Sequence, residues 1–154
     1  MTLKRKLLVL LIVAFGGIQF VPVERGNPAV ESDFDGPPAI AAILRRSCYD
    51  CHSNETAWPW YSWVAPMSWM LAEHVEDGRK RLNFSEWDED EAWDSMEEIG
   101  EEVAAGNMPL KNYLLLHRDA RLSDADREAL LAWSGYQGVA EGGGEPEDDG
   151  HDHD

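Results

Sequence analysis

Five consecutive residues, Cys48-Tyr49-Asp50-Cys51-His52, constrain this chain more than any other feature. Two thiols three positions apart and a histidine directly after them form the C-x-x-C-H element typical of c-type haem attachment. Each thiol can add to one haem vinyl group, and the adjacent imidazole can then reach the iron. The chain has no other cysteine, so it lacks a second pair for a four-thiolate zinc site. The element predicts one haem c, attached to Cys48 and Cys51 and ligated by His52.

Two other uses of the cysteine pair are open from the residues alone. One is a thiol–disulfide redox centre, but the thioredoxin-like kind expects a βαβ setting, and no alternating strand pattern flanks the motif. The other is half of a zinc site, for which His52 lies too close in sequence to both cysteines. Haem attachment is favoured over both because the chain also carries the marks of export.

Residues 1–23 have the character of a membrane anchor or signal segment. Three basic residues, Lys4, Arg5 and Lys6, precede an apolar run, and this order indicates that the amino terminus stays in the cytoplasm while the rest is exported. The run is about 17 residues long, at the lower limit for a spanning helix. Large residues occupy most candidate cleavage positions, so an uncleaved anchor is favoured over a removed signal peptide. The domain is then expected on the periplasmic side of the inner membrane.

The chain is strongly acidic, with 30 acidic and 13 basic residues and a formal net charge of −17. Four of the basic residues lie in residues 1–26, so the exported part is more acidic still. Such a surface repels nucleic acid and anionic lipid, which attract basic patches. The composition therefore argues against nucleic-acid binding and favours a basic protein partner or none, and the default interpretation is that the charge keeps the protein soluble.

Composition divides the remaining chain into three parts. Residues 24–35 form a linker with the turn-favouring residues Gly26, Asn27 and Pro28, residues 36–138 form the haem-binding domain, and residues 139–154 form an acidic tail that we expect to be disordered. The tail ends in two His-Asp pairs at residues 151–154. A solvated tail is favoured over a loose divalent metal site there.

Apolar residues in the domain recur at helical spacing, and no segment favours a strand. We predict four short helices: one from Pro37-Pro38 to the haem motif, one over 66–81, one opened by Ser85 and ended by Gly106, and one capped by Ser123 and closed by Gly135. Their core would be thin, so we expect the haem to complete it. The predicted fold class is all-α.

The second axial ligand has to come from the methionines and histidines of the domain, which are Met67, Met70, Met96, Met108, His74 and His117. Most of them lie on predicted apolar helix faces, where methionine usually serves packing. Met108 instead lies in a loop after a predicted helix stop, and Pro109 stiffens that loop. Met108 is the predicted distal ligand, with His74, His117 or an open position as alternatives.

Four aromatic residues follow the haem motif within six positions, namely Trp58, Trp60, Tyr61 and Trp63. They can wall the haem and exclude water, which raises the reduction potential. They can also form an exposed patch for a partner or for a membrane interface. A small haem domain needs bulky lining, so Trp58, Trp60 and Tyr61 are predicted to contact the haem.

Longer stretches resemble the bacterial haem-binding domain family of small exported c-type cytochrome-like proteins. The stretches are SCYDCHSNET at 47–56, WPWYS at 58–62, NFSEW at 83–87, MP at 108–109 and YLLLH at 113–117. The resemblance implies a cytochrome c-like domain of about four short helices around one covalently bound haem. It also implies His52 as proximal ligand and Met108 as distal ligand. The chain departs from the family at Leu110, where a second proline is usual.

These features predict a monohaem c-type cytochrome that transfers electrons to a redox partner and catalyses no reaction of its own. No positioned acid–base residue is specified by the sequence, as peroxide turnover would require. The alternative is a haem-based sensor or a peroxidase-like protein, in which the sixth iron position is open or labile.

Overall fold

The computed structural model describes residues 2–88 and 92–137, and the structural statements below concern that part of the chain. It contains six α-helices and no sheet: α1 Leu3–Ile18, α2 Pro38–Ser47, α3 Tyr49–His52, α4 Met67–Arg81, α5 Ala92–Ala105 and α6 Asp124–Ser134. Three short 3₁₀ turns cover Trp60–Trp63, Tyr113–Leu115 and Arg118–Ala120. The predicted all-α class is confirmed, and the helix absent from the prediction is the single turn of the haem motif.

Most helix ends follow local signals in the sequence. Pro38 occupies the first turn of α2, where its missing N–H is not needed. Ser123 caps α6 in a reciprocal capping box with Asp126. Gly106 and Gly135 follow α5 and α6 with φ angles of 69° and 71°. Glycine takes this left-handed conformation without steric penalty, which is why both helices end there.

The third predicted helix does not open at Ser85, and that expectation was wrong. Residues 85–88 are not helical, and α5 begins at Ala92. The Ser85 hydroxyl accepts a hydrogen bond from the backbone N–H of Asn54 at 2.9 Å. A serine that resembles a helix cap in sequence can equally bond a distant backbone group, and here it does so.

Residues 24–35, the predicted linker, lie against the domain. The N–H groups of Ser32 and Phe34 donate to the carbonyls of Ser85 and Phe84 at 3.1 and 3.0 Å. The Phe34 ring is buried and meets the Phe84 ring edge-on, with 6.0 Å between centroids. This segment therefore contributes a core residue, although its Gly and Pro content indicates a linker.

The core gathers side chains from α2, α3, α5 and α6 around Phe84. Its buried members are Phe34, Ile40, Ile43, Leu44, Tyr49, Phe84, Ile99, Val103 and Leu130. The Tyr49 ring stacks on Phe84 at 5.2 Å, so the haem motif is joined directly to this core. On its other side α3 packs against α4, while α5 packs against α6.

The amino-terminal helix α1 has no buried residue. Within the described ranges, no helix combines the length and the apolar character that a membrane span requires. The predicted acidic tail at 139–154, with its His-Asp end, lies outside the described residues.

Candidate functional site

A cavity of about 340 Å³ lies between the haem motif, α4, α5 and the loop that follows α5. Cys48, Cys51, His52 and Met108 all line it. The first three come from one turn of the chain, and the fourth lies more than fifty residues later. The structure thus brings the predicted thioether residues and both predicted axial ligands to one space.

The motif reaches the cavity because it forms a helical turn. The N–H groups of Cys51 and His52 both donate to the carbonyl of Cys48, at 3.1 and 3.0 Å. In a helical turn, residues three and four positions apart lie on the same face. The two cysteines and the histidine can therefore address one bound group.

Helix α4 orients the imidazole of His52. Its Nδ1 lies 3.0 Å from the carbonyl oxygen of Gly78 and 3.1 Å from that of Leu82. Carbonyls only accept, so Nδ1 carries the hydrogen and Nε2 keeps a free lone pair for a metal. Burial lowers the pKa of His52 and favours the neutral imidazole that ligation needs.

Gly78 allows α4 to come this close to the motif. A Cβ at this position would lie 2.6 Å from the carbonyl oxygen of Cys51 and 3.1 Å from its carbonyl carbon. Both distances are below ordinary contact, so any side chain here would push the two helices apart. Sequence reasoning missed this residue, although a glycine inside a helical pattern signals a close approach.

The loop that carries Met108 is fixed at both ends. At its start, the N–H groups of Asn107 and Met108 donate to the carbonyl of Glu102 at 3.0 and 3.3 Å. At its end, the Tyr113 hydroxyl donates to Oδ2 of Asp50 at 2.6 Å. Because Asp50 lies between the two cysteines, this bond joins the Met108 loop to the haem motif.

Tyr113 is itself part of the cavity wall, and its ring stacks on His117 at 4.1 Å. Burial and the hydrogen bond to Asp50 raise the pKa of the Tyr113 hydroxyl, so it stays protonated as a donor. The other oxygen of Asp50 accepts the N–H of Ala57 at 3.1 Å. Sequence reasoning identified neither Asp50 nor Tyr113, because their partnership spans 63 residues.

Of the other candidate axial ligands, only His74 lies in the cavity lining. His74 lines the cavity with Met108. His117 does not line it, and both its ring nitrogens lie 3.4 Å from the hydroxyl of Tyr61. Met67, Met70 and Met96 also lie away from the lining. The choice of a distal ligand inside the cavity thus narrows to Met108 and His74.

Trp58, Trp60 and Tyr61 do not line the cavity, and their contact with the haem stays a prediction. Trp58 donates its indole N–H to the side chain of Asn27 at 3.1 Å. Trp60 is 79% exposed. The lining comes instead from α5 and the Met108 loop, whose side chains include Ile99, Val103, Leu110 and Tyr113.

Two polar groups of the cavity, the Arg81 guanidinium and the Ser47 hydroxyl, suit a ligand carboxylate, although four carboxylates also line it. Arg81 is the sole lysine or arginine that lines it within the described part of the chain. The Ser47 hydroxyl also lines the cavity, and it is buried with no hydrogen-bond partner among the described residues. A buried hydroxyl is costly when unpaired, so a bound group that pairs with it would be stabilised. Haem carries two vinyl groups, an iron and carboxylates. These match the two thiols, the imidazole and thioether, and the Arg81 and Ser47 side chains of the cavity.

The environment of the cysteines does not suit the other two uses of the pair. Both thiols are free, and burial raises the pKa of Cys48 to about 12 and that of Cys51 to about 11. Redox dithiols have lowered pKa values instead. Among the described residues, no cluster of three or more His, Cys, Asp or Glu could hold a metal ion.

The haem-binding domain family matches residues 13–135, from the second half of α1 to the end of α6. No curated protein and no solved structure matches the chain. The family match covers most of the sequence and includes every residue of the cavity described above. The chain therefore belongs to the haem-binding domain family.

Proposed function

We propose that this protein is a monohaem c-type cytochrome that carries electrons on the outer side of the cytoplasmic membrane. The observation that carries the proposal is that Cys48, Cys51, His52 and Met108 line one cavity. Two thiols, an imidazole and a thioether are the donors of a covalently attached haem with two axial ligands. We further propose a cytochrome c-like arrangement of the helices around it.

Different residues of the cavity would bind the vinyl groups, the iron and the carboxylates of the haem. Cys48 and Cys51 would form the thioether links, while Nε2 of His52 and the sulfur of Met108 would ligate the iron. Arg81 and Ser47 are suited to the haem carboxylates, as a cation and as an unpaired hydroxyl. The haem supplies one-electron redox chemistry, and the chain keeps its ligands in place.

Electron transfer is favoured because the two axial ligands leave no iron position for a gas or a peroxide. His52 is held by the carbonyls of Gly78 in α4 and of Leu82 directly after it, and the Met108 loop is bonded to the motif through Tyr113. Fixed ligands need little rearrangement when the iron changes charge. A methionine ligand also raises the reduction potential relative to a second histidine.

Charge supports a basic redox partner. Asp77, Glu98 and Glu102 line the cavity, and the whole chain carries a net charge of −17. Complementary charge speeds the encounter of two proteins and weakens as salt is added. We therefore expect a transient, salt-sensitive complex with a positively charged protein.

Export is proposed from the haem attachment itself and from the amino-terminal segment. Covalent haem attachment through C-x-x-C-H takes place outside the cytoplasm, and Lys4, Arg5 and Lys6 precede the apolar helix α1 as in exported chains.

The visible spectrum tests the proposal, with the full chain produced alongside the c-haem maturation machinery. Haem that survives acid–acetone extraction, a sharp reduced α-band, and a weak far-red band that disappears in Met108→Ala would support it. Met70→Ala is the matched control, because Met70 does not line the cavity. We expect Met70→Ala to keep the far-red band.

Two results would contradict the proposal in different ways. A high-spin spectrum in the unmodified protein, with rapid carbon monoxide binding to the reduced form, would support the sensor or peroxidase-like alternative. Extraction of all haem by acid–acetone would overturn covalent attachment to Cys48 and Cys51.

A further inference from the structure

Two exposed apolar surfaces flank the hydrogen bonds between Gln19, just after α1, and Ala65. One is α1 itself, and the other is an aromatic patch that consists of Trp60, Trp63, Val64 and Met67. We propose that this patch lies in the headgroup region of a phospholipid bilayer whose acyl chains accommodate the apolar side chains of α1. The inference goes beyond the proposed function and does not depend on which residues ligate the iron.

The exposure of α1 argues for lipid rather than for a protein groove. The large apolar residues exposed on this helix are Leu3, Leu7, Leu8, Val9, Leu10, Leu11, Ile12, Val13 and Phe15. Residues 7–13 are consecutive, so these side chains surround the helix instead of forming one stripe. A helix that docks on a protein needs one apolar face, whereas a helix that is apolar on all sides suits a lipid environment.

The charged and aromatic residues at the two ends of α1 fit the same occupant. Lys4 and Arg5 lie in its first turn, where they can meet phosphate headgroups. The exposed indoles of Trp60 and Trp63 belong to the 3₁₀ turn just before Ala65, the residue that Gln19 bonds after the other end of α1. Tryptophan is enriched where headgroups meet acyl chains. Because a 16-residue helix is about 24 Å long, the basic end and the aromatic patch are well separated along it.

Specific contacts attach the patch to the end of α1. Gln19 follows the helix, and its side chain exchanges two hydrogen bonds with the backbone of Ala65: Nε2 donates at 3.3 Å and Oε1 accepts at 2.9 Å. Arg25 donates to the Ser62 carbonyl at 3.1 Å, and its guanidinium lies 4.0 Å from the centre of the Trp63 ring. These contacts orient the patch relative to α1.

The exposure of the patch is large for its residue types. Trp60 is 79% exposed and Trp63 is 66% exposed. Both follow the haem motif closely but stay outside the cavity. The acidic charge of the rest of the domain disfavours other contacts with an anionic lipid surface. The patch would therefore set one orientation of the haem domain on the bilayer.

Hydroxyl-radical footprinting of the haem-loaded full chain tests the inference, with radicals generated by X-rays and with phosphatidylcholine vesicles present or absent. We expect oxidation of Trp60 and Trp63 to slow severalfold when vesicles are added. Trp93 on α5 is the internal control, because its 67% exposure matches that of Trp63. Its oxidation should not change.

Equal oxidation of Trp60 and Trp63 with and without vesicles would overturn the inference and return the patch to a protein partner. So would equal slowing at Trp93, because it would indicate general shielding rather than contact through the patch. A variant with Gln19→Ala and Arg25→Ala tests the attachment. It should still float with vesicles through α1 but should lose the protection of both tryptophans, and retained protection would contradict the role of these contacts.

Discussion

The carbonyl oxygen of Gly78 lies 3.0 Å from Nδ1 of His52, so the residue that lets α4 approach the haem motif also orients its histidine. The two roles depend on each other. Without a side chain at position 78, the α4 backbone can reach the imidazole, and a Cβ there would meet the Cys51 carbonyl oxygen at 2.6 Å. Hydrogen bonds of this kind fix the ring orientation and the free nitrogen of a ligating histidine.

Gly78→Ala should therefore impair the site and the fold together. The added methyl group forces α4 away from Cys51, and overpacking of this kind costs roughly 1–3 kcal/mol of stability. We expect a lower yield of haem-loaded protein, a lower melting temperature and a perturbed reduced spectrum. Haem absorbance of one preparation gives the yield and the reduced spectrum, and its change on heating gives the melting temperature.

Gly16→Ala is the control for this substitution. Gly16 also lies within a helix, α1, and a Cβ there would meet no atom within 4 Å. Its haem yield and melting temperature should equal those of the unmodified protein. If both alanine variants behaved alike, the close approach of α4 would not be essential for haem loading.

The sequence predicted the local part of this site better than its long-range part. The Met108 loop and the capping box of α6 depend on neighbouring residues, and the structure has both. The single helical turn of the C-x-x-C-H motif is equally local but was not predicted as a helix. The bond from Tyr113 to Asp50 joins residues 63 positions apart, and no local pattern encodes such a pair.

The aromatic residues show why composition alone does not predict which side chains line the cavity. Bulky rings near a haem motif suit a pocket wall, so Trp60 was expected to line the cavity. Its exposure depends on how the 3₁₀ turn sits against Gln19 and Arg25, which lie about forty residues earlier in the chain. Phe34 shows the opposite, because it was assigned to a linker from the Gly and Pro of its segment and is a buried core residue.

Tyr113→Phe should loosen the Met108 loop. The substitution removes one hydroxyl and leaves the partly buried Asp50 carboxylate without that donor, which costs about 1–3 kcal/mol. We expect the far-red band assigned to Met108 ligation to disappear at a lower temperature, and carbon monoxide to bind the reduced protein faster. Tyr136→Phe is the control, because Tyr136 does not line the cavity.

The same bond has a predictable dependence on pH. Burial and the bond to Asp50 raise the folded-state pKa of Tyr113 above the unfolded value of about 10. Its contribution to stability is thus complete below pH of about 10 and is lost as the pH rises further. In alkaline titrations of the melting temperature, this loss should be smaller in Tyr113→Phe. An identical alkaline profile in both proteins would argue against the bond.

Arg81→Gln should lower the reduction potential. A positive charge near the iron favours the reduced state. The Arg81 charge already acts on the proposed iron ligand His52. Burial is the main cause that lowers the pKa of this imidazole, and the positive charge of Arg81 lowers it further. A tenfold change in a one-electron equilibrium corresponds to about 59 mV, and we expect a downward shift of that order or smaller. Redox titration followed by absorbance measures it directly.

Arg121→Gln removes a positive charge from an exposed residue that does not line the cavity. It should leave the potential nearly unchanged, because exposed charges at a distance are screened. If both variants shifted the potential equally, the effect would come from overall charge, and Arg81 would have no special relation to the haem.

Asp126→Ala should destabilise α6 and its attachment to α2. The Asp126 carboxylate accepts the N–H of Ser123 at 2.9 Å and a bond from the Arg46 guanidinium at 2.8 Å. Loss of a capping residue typically costs about 1 kcal/mol. Because Arg46 lies just before the haem motif, we expect a lower melting temperature of the haem-loaded protein without a change in its axial ligands.

Acid should remove the difference in melting temperature between Asp126→Ala and the unmodified protein. The hydrogen bonds from Ser123, together with the Arg46 charge, hold the pKa of Asp126 below its usual value. Its contribution is present above the unfolded pKa of about 3.9 and is lost as the pH falls through the folded value. Melting temperatures of Asp126→Ala and the unmodified protein should converge below pH of about 4. Asp124→Ala, in the same helical turn but outside the capping box, should cost only a few tenths of a kcal/mol at neutral pH. An equal loss in both variants would assign the effect to the charge of the first turn and not to the cap.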